Sequence, residues 1–455
     1  MPTNAEQLMA LSNLIAEAVK VIIDEYNTAG IPVPSLRSAS TAPTLFDSPE
    51  NVTPMLSKAI RTIEAASAQL SFTVASPGHV MTNKVYGFYE PSAIHVICNA
   101  KIADLLLDKP DGVHVSILAK ESGLDEDKLS RILRMLATKH CFIEVQPDVF
   151  ANNRLSIKML SSDSVSSLLG HMADEVQKSA CNLEAVVFQP VANAPPPTSI
   201  DTAFSKTHGC TMFEYFDTLI TASKTKPEGK KKMDRFAKAM VGWGDVTGKG
   251  MLHKVYPWEN CDPGTTVCDL GGGNGHIMLD LVNAFPNIEP IIQDLPPVVE
   301  QAKELWKEVN PSAVQTSQVR FVALDFLEDI PVSECNFYYL RHVLHDWPES
   351  DCLKILRNVR RAANSLSKLL IHEYVLQLLV RKDDHTEFEQ ASEPLLPNYG
   401  MGCLRLYQQD INMMTLGGSK ERTLEEFIDM GKKCGFKFVK LWDSGETAVV
   451  EFVPV

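Results

Sequence analysis

The sequence predicts an α/β protein with two parts: a Rossmann-like domain built on a seven-stranded, mostly parallel sheet with an antiparallel edge hairpin, and a mainly helical winged-helix domain before it. Three observations carry this. From Thr265 onward the apolar runs TTVCDL, IEPIIQD, VRFVALD, NFYYLRH and KLLIHEYV alternate with helical stretches, as in a doubly wound sheet. Near the end, FKFVKLW, DSGE and TAVVEFVPV read as two strands around a tight turn, so the sheet finishes with an antiparallel pair. Throughout the first half, apolar residues recur at helical spacing instead.

In chain order, Leu8, Leu11, Leu14, Ile15, Val19 and Ile22 mark a first amphipathic helix whose apolar stripe needs a partner. Pro32, Pro34, Pro43 and Pro49 then interrupt regular structure from about Thr28 to Pro54, and apolar spacing resumes at Met55, Ile60 and Ile63. SAIHVICNAKIADLL, VSILAKESG and DEDKLSRILRMLATK read as three helices, and FIEV, QPD and VFA as a short hairpin. Three helices and a hairpin make a winged helix, a layout that can read DNA. Its charges argue against that use: five basic residues face four acidic ones between Val115 and His140, a net of +1. The expected partner is a second copy of the chain, giving a homodimer. The proline-rich PVANAPPPTS sets the boundary, with residues 1–190 as the helical domain and 191–455 as the α/β domain. The lysines of KPEGKKK are read as a solvated loop or helix start.

Composition narrows the class. Of 455 residues 45% are hydrophobic, enough for large cores, and the net charge of −14 disfavours nucleic acid as a partner. No apolar run reaches the ~18 residues of a membrane span, and the N-terminal stretch lacks the basic start of an export signal. Ten cysteines without a CxxC pair indicate neither zinc fingers nor a disulfide framework, so a cytoplasmic location and no metal are expected.

The turn in VCDLGGGNGHIMLDL is the first functional signal. No Lys-Ser or Lys-Thr follows these glycines, which excludes a phosphate loop, and the third glycine of a dinucleotide fingerprint is replaced by His276. What remains is Asp269 beside Gly271, Gly273 and Gly275, a carboxylate at a strand end where the backbone can approach a ligand closely. A carboxylate there suits an amine and repels a phosphate, which points to S-adenosylmethionine. Asp294, 19 residues after Gly275, is placed for ribose hydroxyls, and Asp325 for an adenine amine. The competing reading is that each aspartate caps the following turn or helix.

His345 lies in the loop beyond the fourth strand, before a helix expected to begin at Pro348 with Glu349 and Asp351 near its positive end. Two carboxylates, Glu373 at the fifth strand's end and Glu421 in GGSKERT, could orient its imidazole.

Taken in order and spacing, VCDLGGGNGH, QDLP, LDFL, RHVLHDWPESDC, HEYV and GGSKERT resemble the class I S-adenosylmethionine-dependent O-methyltransferases of the caffeic acid type. The likeness is strongest to fungal enzymes that methylate phenols of polyketides and other secondary metabolites. It covers most of the chain and implies an intertwined homodimer formed through the winged-helix domain. It implies cofactor contacts from Asp294, Leu295, Asp325, Phe326 and Trp347 and from the glycine turn, with Arg341 where many relatives have lysine. It implies His345 as general base, held by Glu373 and Glu421, and Met240, Met413 and Met414 as substrate-lining, with core packing as the alternative for each methionine. The segment Arg381 to Gln409 departs from the pattern. The implied reaction is metal-independent methylation of a phenolic hydroxyl. A free phenol at about 10 and an imidazole at about 6.5 leave roughly 5 kcal/mol against full prior deprotonation, which concerted transfer avoids. Two rivals stand beside it: a cofactor-bound dehydratase or pericyclase-like enzyme that transfers no methyl, and a winged-helix DNA-binding regulator.

Overall fold

A computed structural model describes residues 3–188, 201–223, 227–248, 251–381 and 387–455. It forms two compact units, and the first takes Ala203–Gly248 together with the N-terminal half. The sequence had placed that segment in the second domain. Its allegiance is set by packing: helix Pro227–Thr247 runs so close to helix Ser164–His171 that a Cβ on Gly242 would lie 2.6 Å from the Ser164 carbonyl oxygen. Ser164 Oγ bonds Asp245 at 3.0 Å, Arg235 reaches Asp174 at 2.7 Å, and Phe216 stacks on Phe236 at 3.9 Å. The proline-rich segment proposed as the boundary lies outside the described residues.

Within the first unit, helix Asn4–Thr28 starts in a capping box formed by Thr3 and Glu6 and packs against helix Pro54–Val74, capped by Thr53. Between them are two single turns, Leu45–Asp47 and Pro49–Asn51, as the prolines require. The run expected as one helix is two, Tyr89–Asn99 and Ile102–Leu105, because Lys101 turns left-handed at φ 54°. Helices Val115–Ser122 and Glu126–Thr138 follow, the second capped by Asp125. The wing gains a strand: β1 (Val113–His114), β2 (Ile143–Gln146) and β3 (Val149–Ala151) pair in the order β1-β3-β2. Ile97, Leu118, Leu129, Leu133, Phe142 and Phe150 form its core. Lysines 230–232 lie in helix Pro227–Thr247, the helix-start reading; Lys226 is outside the described residues.

The second unit carries β4 (Thr265–Leu270), β5 (Ile288–Asp294), β6 (Arg320–Ala323), β7 (Phe337–Arg341), β8 (Lys368–Glu373), β9 (Val375–Leu376), β10 (Arg422–Thr423), β11 (Phe436–Asp443) and β12 (Ala448–Pro454). Seven of these form one sheet in the order β11-β12-β8-β7-β4-β5-β6, with only the β11–β12 and β12–β8 pairs antiparallel. The chain winds outward in opposite directions from β4, with β5 on one side and β7 on the other, so a crevice opens at their carboxyl ends. Apolar layers cover both faces, one containing Leu340, Ile355 and Phe452, the other Met278, Trp306 and Tyr339.

Two expected strands end early. VRFVALD is extended only as β6, leaving Asp325 in the following turn. KLLIHEYV divides: β8 stops at Glu373, and β9 leaves the main sheet to pair in parallel with β10, Val375 opposite Arg422. That register sets Glu421 level with Tyr374 and brings it beside the end of β8.

Candidate active site

The turn after β4 is possible only with glycine. Gly271, Gly273 and Gly275 all have positive φ, and a Cβ on Gly275 would come within 2.3 Å of Ile292 Cδ1 and 2.7 Å of Trp306 Nε1. A Cβ on Gly273 would meet nothing within 4 Å, so the turn's middle faces open space. Asp294, the last residue of β5, ties the turn down: one oxygen accepts the Gly273 N–H at 2.9 Å and the other the Leu295 N–H at 2.7 Å.

Asp269 is buried beneath this turn. Burial, reinforced by the charge of Asp294 and opposed by Arg341, pushes its carboxyl up to about 7. Arg341, at the end of β7, has Nε and one Nη buried without a partner among the described residues. A buried carboxylate and an unpartnered guanidinium at neighbouring strand ends match the ammonium and carboxylate of an amino acid, which is the fit that S-adenosylmethionine requires. Phe326, whose ring would lie 3.5 Å from a Cβ on Gly271, and Trp347 stand edge to face, centroids 5.9 Å apart. Asp325 Oδ1 accepts the Leu327 N–H at 3.0 Å, so the turn-capping alternative is realised there, and Asp294 caps as well.

His345 occupies a single turn, Leu344–Asp346, that follows β7, with helix Glu349–Ala362 starting one residue later than expected because Pro348 is its cap. The imidazole is buried, and its Nδ1 lies 2.9 Å from Glu421 Oε1. Glu373 acts on the backbone: its Oε1 accepts the N–H groups of Val343 and Leu344 at 3.0 and 2.9 Å, and its Oε2 is 3.8 Å from His345 Nδ1. Asp346 Oδ1 sits 3.6 Å from Nε2. Burial opposes charge on the imidazole, but Glu373, Asp346 and Glu421 outweigh it and push His345 up to about 10. Burial also raises Glu421 above the usual carboxylate range, against the pull of His345.

Two residues at this site were not read from the sequence. Arg422 is almost fully buried and clamps the His345 turn, donating to the carbonyls of Leu344 at 2.8 Å and Trp347 at 3.0 Å. Its only sequence signal was its place next to Glu421. His342, just after β7, is left-handed at φ 51° and stacks on His345, centroids 5.1 Å apart. Met413 is buried and Met414 half-buried on helix Leu404–Gly417, which packs against the His345 turn. Met240 belongs to the other unit and is 43% exposed there. Of the departing segment, residues 387–409 are described: Arg381 donates to the carbonyls of Ala391 and Leu395, and Tyr407 to that of Gln377 at 2.6 Å.

Comparison with known proteins identifies the family. Residues 189–437 match the O-methyltransferase domain, and residues 83–162 the O-methyltransferase dimerisation domain. The matched O-methyltransferase region includes Ala203–Gly248, which packs with the helical unit. The chain is 46% identical over 449 residues to 3-O-methyltransferase 2 of Phanerochaete chrysosporium, covering 98% of each protein. Among solved structures, the mitomycin 7-O-methyltransferase MmcR aligns with a TM-score of 0.63 at 23% identity, covering 83% of this chain and 98% of that one. A pericyclic reaction enzyme aligns with a TM-score of 0.68 at 20% identity, covering 87% and 94%. Both share the fold. With a matched domain spanning more than half its length and a full-length relative at 46% identity, the chain belongs to the S-adenosylmethionine-dependent O-methyltransferase family.

Proposed function

We propose that the protein methylates a phenolic hydroxyl of a small aromatic molecule, with His345 as the general base and no metal required. The observation that carries this is the buried His345–Glu421 pair, in which one imidazole nitrogen is fixed and the other is left to receive a proton. Glu421 accepts the Nδ1 proton and so selects the tautomer with Nε2 as base. Glu373 and Arg422 hold the turn from its amide and carbonyl sides, so the ring is aimed by backbone anchors as well as by its own hydrogen bond. When bound, S-adenosylmethionine supplies an electrophilic methyl on a positively charged sulfur. Asp269 and Arg341 would hold its amino-acid end, Asp294 its ribose, and Phe326 and Trp347 its adenine. The surrounding carboxylates push His345 up to about 10, which stabilises the imidazolium formed on proton transfer. The neutral form that accepts the proton is the minor one at pH 7, so transfer should quicken as pH rises. The half-buried Met414 and buried Met413 support an apolar acceptor pocket, and the matched dimerisation domain supports a homodimer.

The test is transfer of isotope-labelled methyl to a panel of phenols by the native protein and by His345→Ala, with calorimetric cofactor binding beside it. Label on a phenol, reduced ~10²–10⁴-fold in the variant while the cofactor still binds, is the expected result. Cofactor binding with no transfer to any phenol would turn the assignment toward the non-methylating reading.

A further inference from the structure

We propose that His342, His345 and Glu373 form a binding site for a zinc-class divalent ion, and that filling it silences the base. The silencing half rests on the reading of His345 as base; the binding half does not.

His342 leaves β7 with a left-handed backbone, φ 51°, its N–H donating to the His372 carbonyl at 3.2 Å. That conformation is uncommon for a residue with a Cβ. It turns the ring inward, between His345 and Tyr374, each 5.1 Å away by ring centroid. His342 Nδ1 lies 3.6 Å from Glu373 Oε2, and His345 Nδ1 lies 3.8 Å from the same oxygen. Both distances are too long for hydrogen bonds. Neither ring nitrogen of His342, nor Oε2 of Glu373, has a partner among the described residues, and all three atoms are buried. Each such orphan costs about 1–3 kcal/mol, and an ion is one of the few occupants that relieves several together.

The geometry and the donor set agree. The ligand atoms lie within 4.8 Å of one another. Around tetrahedral zinc, bonds of about 2.0–2.2 Å place ligand atoms roughly 3.4 Å apart, so the two imidazole–carboxylate distances, 3.6 and 3.8 Å, need contraction by a few tenths, while the two imidazole nitrogens, within 4.8 Å of each other, close by rotation of the rings. Two imidazoles and one carboxylate suit zinc, copper or nickel, whereas magnesium and calcium prefer oxygen sets. Glu421 and Asp346 add negative charge around the same point.

Binding has a definite balance. A His345 Nδ1–metal bond forms, the Nδ1 proton that is hydrogen-bonded to Glu421 leaves to solvent, and the ring is drawn out of the pair that aims it. An imidazole whose electrons are committed to a cation at one nitrogen is a weaker base at the other, so methyl transfer slows.

The experiment uses the full chain freed of metal by a chelator, titrated with zinc chloride in a calorimeter and with cobalt chloride in a visible spectrometer. One ion per chain is expected, with a tetrahedral cobalt spectrum lacking thiolate charge-transfer bands. His342→Asn, which tolerates the left-handed backbone, and His342→Phe, which keeps the stacked ring, should each weaken zinc binding at least ten-fold and raise the half-inhibitory zinc concentration for methyl transfer to match. Equal zinc affinity in both variants, or thiolate bands from the free cysteines, would overturn the site. Loss of transfer on chelation, restored by added metal, would overturn the inhibitory role and the metal-free reaction together. Stoichiometric binding that depends on His342 in a protein that methylates no phenol would uphold the site and count against the methyl-transfer reading alone.

Discussion

His345 and Glu421 are 76 positions apart in the chain and share a 2.9 Å hydrogen bond in the buried interior. The link is made by the two-residue parallel pair of β9 with β10, which brings the segment before the last helix to the end of β8. His345 is therefore aimed by a small side ladder separate from the main sheet.

Glu421→Gln keeps the shape of the pair and removes its charge. The turnover number should fall about 10–100-fold, with cofactor affinity held within two-fold, since the Glu421 carboxylate hydrogen-bonds His345. Steady-state kinetics with parallel calorimetry read both. A weakened cofactor and an unchanged turnover number would contradict the assigned role.

Asp294→Ala removes the acceptor of the Gly273 and Leu295 N–H groups as well as the proposed ribose contact. Losing these charge-assisted bonds should cost about 1.5–3 kcal/mol of cofactor binding, roughly 10–100-fold in affinity. Unchanged affinity in a titration of S-adenosylmethionine would remove Asp294 from the cofactor site.

Gly275→Ala places a Cβ against Ile292 and Trp306 on a left-handed backbone. Strain and overpacking together should destabilise the chain by at least about 2 kcal/mol, read as a lower thermal midpoint with or without cofactor. Gly273→Ala shares the strained backbone but meets no neighbour, so it should destabilise less and mainly impair cofactor binding.

Asp269 fixes the direction of a pH effect. Its carboxyl is raised to about 7, against an ordinary value near 3.9, so the folded chain holds an extra proton between those limits. This group's contribution to stability without cofactor thus declines as pH rises from about 4 to 7. Cofactor affinity runs the other way: an ammonium prefers the ionised carboxylate, so affinity should climb by up to about ten-fold per pH unit toward 7 and then level. Calorimetry at pH 5, 6 and 7 would show this, and Asp269→Asn should bind weakly with a flat profile.

The winged helix should not bind DNA. Its would-be recognition helix opens on Asp125, Glu126 and Asp127, and Arg134 is committed to Glu144 and Asp148. Fluorescence anisotropy with duplex DNA at low salt should show no salt-dependent association; measurable affinity that falls with salt would revive the regulator reading.

The places of the glycine turn, Asp294, His345 and Glu373 at or just beyond strand ends were legible from local patterns of strand and break, and Glu421 from its place in GGSKERT before the next helix. What escaped depended on distant packing or on a single backbone angle. Lys101 and His342 are both left-handed, and nothing in their residue types announces it. The split of KLLIHEYV was hidden because both pieces are apolar and extended, and only their partners differ. Ala203–Gly248 joined the helical unit through Gly242, whose missing side chain permits the close helix contact, a role visible only once the facing helix is in place.

The position of β12 has a consequence for how the sheet is closed. This strand lies between β8 and β11, yet it follows both in the chain. Without it, β8 is an open edge that ends in Glu373 and displays unpaired amide and carbonyl groups to other chains. Variants cut before Ala448 should accumulate as aggregates rather than as weak enzymes, and a quality-control system would meet them as sticky sheet edges.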